Sequence, residues 1–333
     1  MSWRVAAALG VLFILAAAGI GLGSGRIFRP SPTPRIVSVT YTPAPTPSPT
    51  PLDEATLFHQ PLSAGCGTKD AVWLVTNGGG LMRYDGQDWS QVDGTLRSLT
   101  NVACSPSAAY AVGLLGAVLI ADDQSRQIRS TDISTQDLFG VSLLPDGALM
   151  VGSNGTVFVL DNGDIQVFAQ GIDETLYGVV SFSLDSAWAV GDAGITYRLD
   201  QRGWNPVGSG QAKPLRAVAA TTSSSPVAVG DGGIVVAWAG GKWNPMRSGV
   251  DVDLHDVIVE PGLWIVGDHG TLLTKPAAQD AALARVDLRT ECDLVSVFAR
   301  KDEVWVVGRA GFGGAVWQLR AADGSLIHKW GAC

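Results

Sequence analysis

A unit of about forty residues recurs seven times along this chain, and few architectures accommodate such a repeat. A leucine opens each copy, at Leu62, Leu99, Leu138, Leu176, Leu215, Leu254 and Leu294, with spacings of 37 to 40 residues. Three positions on, six copies carry valine (Val102, Val141, Val179, Val218, Val257, Val297) and the first carries Gly65. A second valine stands in every copy, at Val75, Val112, Val151, Val190, Val229, Val266 and Val307. Four residues after it comes a glycine, again in all seven: Gly79, Gly116, Gly155, Gly194, Gly233, Gly270 and Gly311.

Each unit holds three or four short runs rich in Val, Ile, Leu, Trp and Tyr, broken by Gly, Asp, Asn and Ser, the composition of strands separated by turns. In the fourth copy the runs are YGVVSFS, AWAVGD, ITYRL and GWNPVG. The recurrent V-G-D-x-G is the hairpin between the second and third runs, since glycine accepts a left-handed backbone and Asp or Asn tolerates one. After residue 55 there is no amphipathic helical period of useful length. Tandem four-stranded units without helices predict an all-β fold, a seven-bladed β-propeller over residues 56–333. Neighbouring blades cover both faces of most strands, so the runs are apolar throughout rather than alternating. Thr56-Leu57-Phe58 precede the first unit and offer a strand to the last blade. The last blade also supplies four runs of its own, so ring closure by strand exchange and by plain contact both stand.

Two segments precede the repeats. Val5 to Leu22 is an unbroken run of 18 apolar or small residues. It predicts an N-terminal hydrophobic helix within residues 1–29, either a membrane anchor or a cleaved signal peptide. Residues 30–55 alternate Pro with Thr and Ser, the composition of a disordered, extended stalk. All 31 acidic residues lie from Asp53 onward against 19 basic ones, so the repeat region carries a charge of −12. Such a domain repels phosphate backbones, and nucleic acid is not expected as a partner. Anchor, stalk and domain together predict a single-pass membrane protein with its propeller outside the cytoplasm, or a secreted one if the first segment is cleaved. A monomer is expected.

The chemistry-bearing residues are sparse. Cys66 and Cys104 follow their unit leucines by four and five residues in adjacent units, whereas Cys292 and Cys333 fall in equivalent linker zones before and after the last unit. Register therefore favours Cys66–Cys104 and Cys292–Cys333 disulfides, as in an oxidising compartment. Four buried thiols packed as small hydrophobes are the alternative. His59, His255, His269 and His328 show no metal-ligand spacing, and no nucleophile elbow, phosphate loop or nucleotide fingerprint occurs, so neither metal nor cofactor is expected. Asp192, Asp231 and Asp268 share one turn position in three consecutive units. Their expected role is to cap the turn through the side chain, with a second role as an acidic rim on one face. The residues just after the unit leucines, Phe139, Tyr177, Arg216 and His255, join that rim at the mouth of the central channel and are the candidate binding residues. Trp73, Trp188, Trp264 and Trp305 recur before V-G and are expected to pack between blades.

The pattern L-x-x-V…W-x-V-G-D-x-G…D-G-x-W, seen in LHDVIVEPGLWIVGDHGTLL and LYGVVSFSLDSAWAVGDAGITYRLDQRGW, resembles bacterial exported propeller repeats. It also looks like the superfamily of photosystem II stability/assembly factors and Asp-box proteins. The Asp-box consensus is not met, because YDGQDW at Tyr84–Trp89 and DQRGW at Asp200–Trp204 lack its Ser/Thr framework. The arginine cluster, tyrosine and acid of a sialidase are not assembled either. The resemblance implies a propeller and, for the photosystem factors, a chaperone-like role at a membrane complex. The expected function is a non-enzymatic, membrane-tethered binding scaffold for a protein or envelope component. An assembly-factor-like chaperone is the alternative, followed by a glycan-binding or glycosidase propeller using the three aspartates.

Overall fold

The computed structural model describes residues 35–37, 50–51, 53–92, 95, 97–122, 128–161, 163–168, 171–275 and 282–333. The hydrophobic segment expected over residues 5–22 lies outside the described residues. Among those described, no helix is long and apolar enough to cross a membrane.

The repeats fold as the sequence predicts. Among the described residues there are seven sheets, each with four consecutive antiparallel strands in simple meander order. The innermost strands are Leu62–Gly67, Leu99–Cys104, Leu138–Leu144, Leu176–Ser183, Leu215–Ala219, Leu254–Ile258 and Asp293–Arg300, which head blades 1 to 7. Blade 4 continues through Ser186–Gly191, Ile195–Asp200 and Gly203–Gly208. Seven apolar clusters fill the seven interfaces between adjacent blades. The unit leucines are fully buried there, and the recurrent tryptophans Trp73, Trp188, Trp264 and Trp305 are at most 3 % exposed. Trp188 meets Trp238 and Trp243 of blade 5 at centroid distances of 4.8 and 5.4 Å, and its indole Nε1 donates to Ser223 O at 2.9 Å.

The V-G-D-x-G segments are two-residue hairpin turns with both central residues left-handed. In blade 4 these are Ala193 (φ 52°) and Gly194 (φ 70°), the primed-turn geometry that matches strand twist. A Cβ on Gly194 would run into the Gln211 carbonyl, and one on Gly191 into that of Thr175. The two glycines thus seat the turn against the linkers on either side.

The ring closes by contact between blades 7 and 1, with no exchanged strand among the described residues. Blade 7 builds all four strands from Asp293 to Gly331, and blade 1 builds its four from Leu62 to Val92. Residues Glu54–Leu57 form one turn of helix rather than a strand, capped by Asp53, whose carboxylate accepts from Thr56 N at 2.7 Å. Leu57 and Phe58 wedge into an aromatic seam with Trp89, Trp305 and Trp330. Gly314 N donates to Phe58 O at 2.9 Å and Gly331 N to the Glu54 carboxylate at 2.8 Å. The one departure from the inner valine, Gly65, belongs to this seam. The Phe298 ring of blade 7 would lie 2.5 Å from a Cβ at that position.

All four cysteines are bonded: Cys66 to Cys104, joining the inner strands of blades 1 and 2, and Cys292 to Cys333, pinning the end of blade 7 to its own entry linker. Within the stretch read as a stalk, Arg35–Val37 pairs with the outer strand of blade 3 and Thr50–Pro51 with that of blade 1. The first of these is the one proline-free run in that stretch that is rich in β-branched residues.

Candidate functional site at the channel mouth

In every blade the register between inner and second strands shifts just after the unit leucine, between Leu176 and Gly178 in blade 4 for example. The leucine is fixed between blades, and a residue is left over before pairing resumes. That is a β-bulge, which re-aims a side chain without breaking the ladder. The leftover residues are Ser63, Thr100, Phe139, Tyr177, Arg216, His255 and Val295, and all seven line a cavity of about 390 Å³ on the ring axis.

The turn aspartates do not line the cavity themselves, but the backbone holds them next to the residues that do. Asp192 N, Asp231 N and Asp268 N donate to the carbonyls of Thr175, Pro214 and Asp253, each the residue before a unit leucine, at 3.0 to 3.1 Å. This holds the turn beside the bulge of the same blade. Tyr177 Oη donates to Asp192 at 2.8 Å. Arg216 grips Asp231 through Nε and Nη2 at 2.6 and 2.7 Å, a bidentate pair. His255 Nε2 meets Asp268 at 2.6 Å. Blade 1 repeats the device with neutral groups, Ser63 Oγ donating to Asn77 at 2.6 Å. The units are also linked sideways: the Arg216 guanidinium lies 4.5 Å from the centre of the Tyr177 ring, which in turn packs 5.5 Å from Phe139. Burial, then the bond to Asp192, raises the Tyr177 phenol above its ordinary range, and the bond to Asp231 raises Arg216.

This corrects the expected role of Asp192, Asp231 and Asp268. Their carboxylates do not cap their own turns; they hold the candidate binding side chains. In blades 2, 5 and 6 the cap comes from the next unit, where an aspartate preceding a unit leucine reaches back; after blade 4 that place is held by Pro214, which has no side-chain acceptor. Asp137 accepts from Leu115 N at 2.9 Å, Asp253 from Gly232 N at 2.8 Å and Asp293 from His269 N at 3.3 Å. The rim is accordingly a row of paired groups rather than of free acids, and Asp231 has both oxygens committed.

Asp256, one position beyond His255, was not singled out by the sequence. Its carboxylate takes Val257 N at 2.8 Å, Ser296 Oγ at 3.0 Å and Val297 N at 2.9 Å, tying blade 6 to blade 7. Burial pushes this carboxyl up to about 6, against those hydrogen bonds and the nearby His255. The signal lay in the register: Asn101 holds the same place in blade 2, accepting from Val102 N and donating to Phe139 O. Cys66 lines the cavity as well, while His59, His269 and His328 lie exposed outside it. Among the described residues no cluster suited to a metal ion occurs.

The architecture has solved counterparts. A WD40 β-propeller domain of Doa1 matches with a TM-score of 0.67 at 11 % identity, over 83 % of this chain and 96 % of that one. The WD40 repeats of RRP9 match with a TM-score of 0.62 at 11 % identity, over 79 % and 92 %. The likeness is one of fold alone. No family model matches the chain, and no curated protein matches its sequence.

Proposed function

We propose that this propeller is a non-enzymatic binding scaffold that recognises a protein partner at the channel mouth over blades 3 to 6. The observation that carries the reading is the arc Phe139–Tyr177–Arg216–His255. Four side chains of different chemistry are aimed into one cavity by a repeated bulge, and three are locked by an aspartate of their own blade. Pre-organised aromatic and arginine groups in a concave site are what recognition uses. The same pairing argues against a glycosidase, because the three aspartates are each committed to a neighbour and Asp231 has no oxygen left for acid–base work. The likeness to photosystem factors rests on the repeat pattern, and we carry no ligand over from it.

We further propose that the scaffold works outside the cytoplasm, tethered by its N-terminal segment. The support is the 18-residue apolar run, the Pro/Thr-rich stretch after it and four cysteines all engaged as disulfides. The test is photo-crosslinking in cells of the native source, with a photoreactive residue replacing Phe139 or, as a control, the exposed Asp185 at the opposite end of blade 4. A reproducible protein adduct from position 139 and not from 185 is expected. Adducts only from 185, or none from 139, would sink the reading.

A further inference from the structure

Each blade ends in an outer strand whose far side has no neighbour from the ring. Such an edge offers unpaired N–H and C=O groups, and folded proteins cover or block it. The strand register allows the seven edges to be compared at one equivalent position. Opposite Tyr197 of blade 4 lies Pro206, and opposite the matching Val236 of blade 5 lies Pro245. A proline fits a strand only where its missing N–H would face away from the ladder. This position therefore points its backbone outward, and blades 4 and 5 lack the donor there. In blades 1 and 3 the matching residues are Gln91 and Val167, and both are covered: Thr50 pairs with Gln91 and Arg35 with Val167. Blade 6 ends in a strand of only two residues, Ala284–Arg285. Blade 2, with Ser130 at this place, stands between the two edges that the N-terminal stretch covers.

Blade 7 has none of these guards among the described residues. Its matching residue is Lys329, opposite Trp317, in a six-residue outer strand, Leu326–Gly331, that contains no proline. Two residues on, Gly331 N donates to the Glu54 carboxylate instead of to the neighbouring strand. By the two-residue alternation of an antiparallel ladder, the N–H and C=O of Lys329 point the same way. Among the described residues no strand lies beside them. The side chains of this edge are open as well. Leu326 and Ile327 are 56 % and 45 % exposed, and the exposed Lys329 holds its ammonium 5.3 Å from the centre of the Trp317 ring.

We infer that the outer edge of blade 7 receives an extended acidic segment of a partner protein as a fifth strand. The segment sets a carboxylate opposite Lys329 and an apolar side chain over Leu326 and Ile327. The chain itself uses this mode of addition twice, at blades 1 and 3. Charge selects the occupant. The strand carries His328 and Lys329 and no acid; opposite charges across a strand pair stabilise it, and like charges do the reverse. A second copy would bring the same lysine and a further domain of charge −12. The β-branched run Arg35–Val37 brings an arginine and is already taken by blade 3. This surface lies on the outer rim of the ring, so it does not depend on the reading of the channel mouth.

The experiment is titration of the full chain, in detergent, with capped eight-residue peptides that alternate Val with Glu or Val with Lys. The Glu peptide is expected to bind about tenfold more tightly than the Lys peptide. It should slow amide exchange at Lys329 and leave the outer strand of blade 4 unchanged. Lys329→Pro, which copies blades 4 and 5, should abolish binding while keeping the wild-type melting temperature. Lys329→Glu should keep the edge and reverse the preference between the peptides. Equal affinity for the two peptides, no binding at millimolar peptide, or an unaffected Lys329→Pro variant overturns the inference. A Lys329 amide already protected in the dilute chain would give the edge to this chain's own residues. Protection that grows with chain concentration, alongside a dimer in sedimentation, would give it to a second copy. Either result overturns the assignment to a partner. Crosslinking from position 139 reads the mouth alone, so the two readings fail separately.

Discussion

A buried carboxyl held between two blades makes the junction of blades 6 and 7 sensitive to pH. Asp256 ionises at an ordinary value of 3.8 in the unfolded chain and at about 6 in the propeller, so the native state keeps the proton longer. The stabilisation is complete below pH 3.8 and is lost as pH rises through about 6. Its loss is worth about 3 kcal/mol. Asp256→Asn should flatten this part of the stability profile, because Asn101 shows that an amide fits the same register. Denaturant unfolding of both proteins across that range checks it; parallel profiles would refute the assignment. Gly65 offers a steric counterpart. A Cβ there would meet Phe298 at 2.5 Å and Leu74 at 2.8 Å, so Gly65→Val should destabilise by about 1–3 kcal/mol. Phe298→Ala in the same chain should relieve part of that cost. A neutral Gly65→Val would mean that the seam repacks.

Within the hairpin element, two aspartates that look alike in sequence do different work. Asp253→Ala strips the acceptor from Gly232 N, at a cost of about 1 kcal/mol, and should speed exchange of that amide. Asp231→Asn should leave the amide protected while freeing Arg216. Equal effects on exchange would undo the division of labour. This division explains what the sequence could and could not show. Leucine, valine and glycine in fixed register announced seven blades, because each position meets the same backbone need every time: an interface core, an inner strand, a left-handed turn. The bulge residues were legible as variable positions at the rim. The roles of Asp192, Asp231 and Asp268 were not, because a turn-forming residue type says nothing of which neighbour its side chain chooses. The true caps sit in the following unit, a contact that reading one unit at a time overlooks. Asp256 has a counterpart only in Asn101 of blade 2, too sparse to read as a repeat, and the one-turn helix Glu54–Leu57 carries no periodic signal at all.

The propeller is a ring whose first and last blades meet without sharing a strand among the described residues, and its two disulfides act at different distances from that seam. Cys292–Cys333 spans 41 residues, and a loop of that length stabilises by about 4 kcal/mol in the chain-entropy view. It holds the outer strand Leu326–Gly331, whose Gly331 N also binds Glu54. Replacing both of those cysteines by serine should therefore raise hydrogen exchange in blade 7's outer strand and in residues 54–58 together. Replacing Cys66 and Cys104 should instead loosen the junction of blades 1 and 2 and leave residues 326–331 protected. The same exchange pattern from both variants would show that the seam opens as one unit.

The bulge after each unit leucine has a consequence for how such a protein can change over generations. It gives the chain seven addresses where one side chain is displayed and the hydrogen-bond ladder is indifferent to which one. Four hold an aromatic, an arginine or a histidine; Ser63, Thr100 and Val295 hold small residues. The ring is thus a short text with a fixed grammar and seven replaceable letters. A new partner could be acquired by spelling at those addresses while every leucine, valine and glycine of the repeat stays as it is.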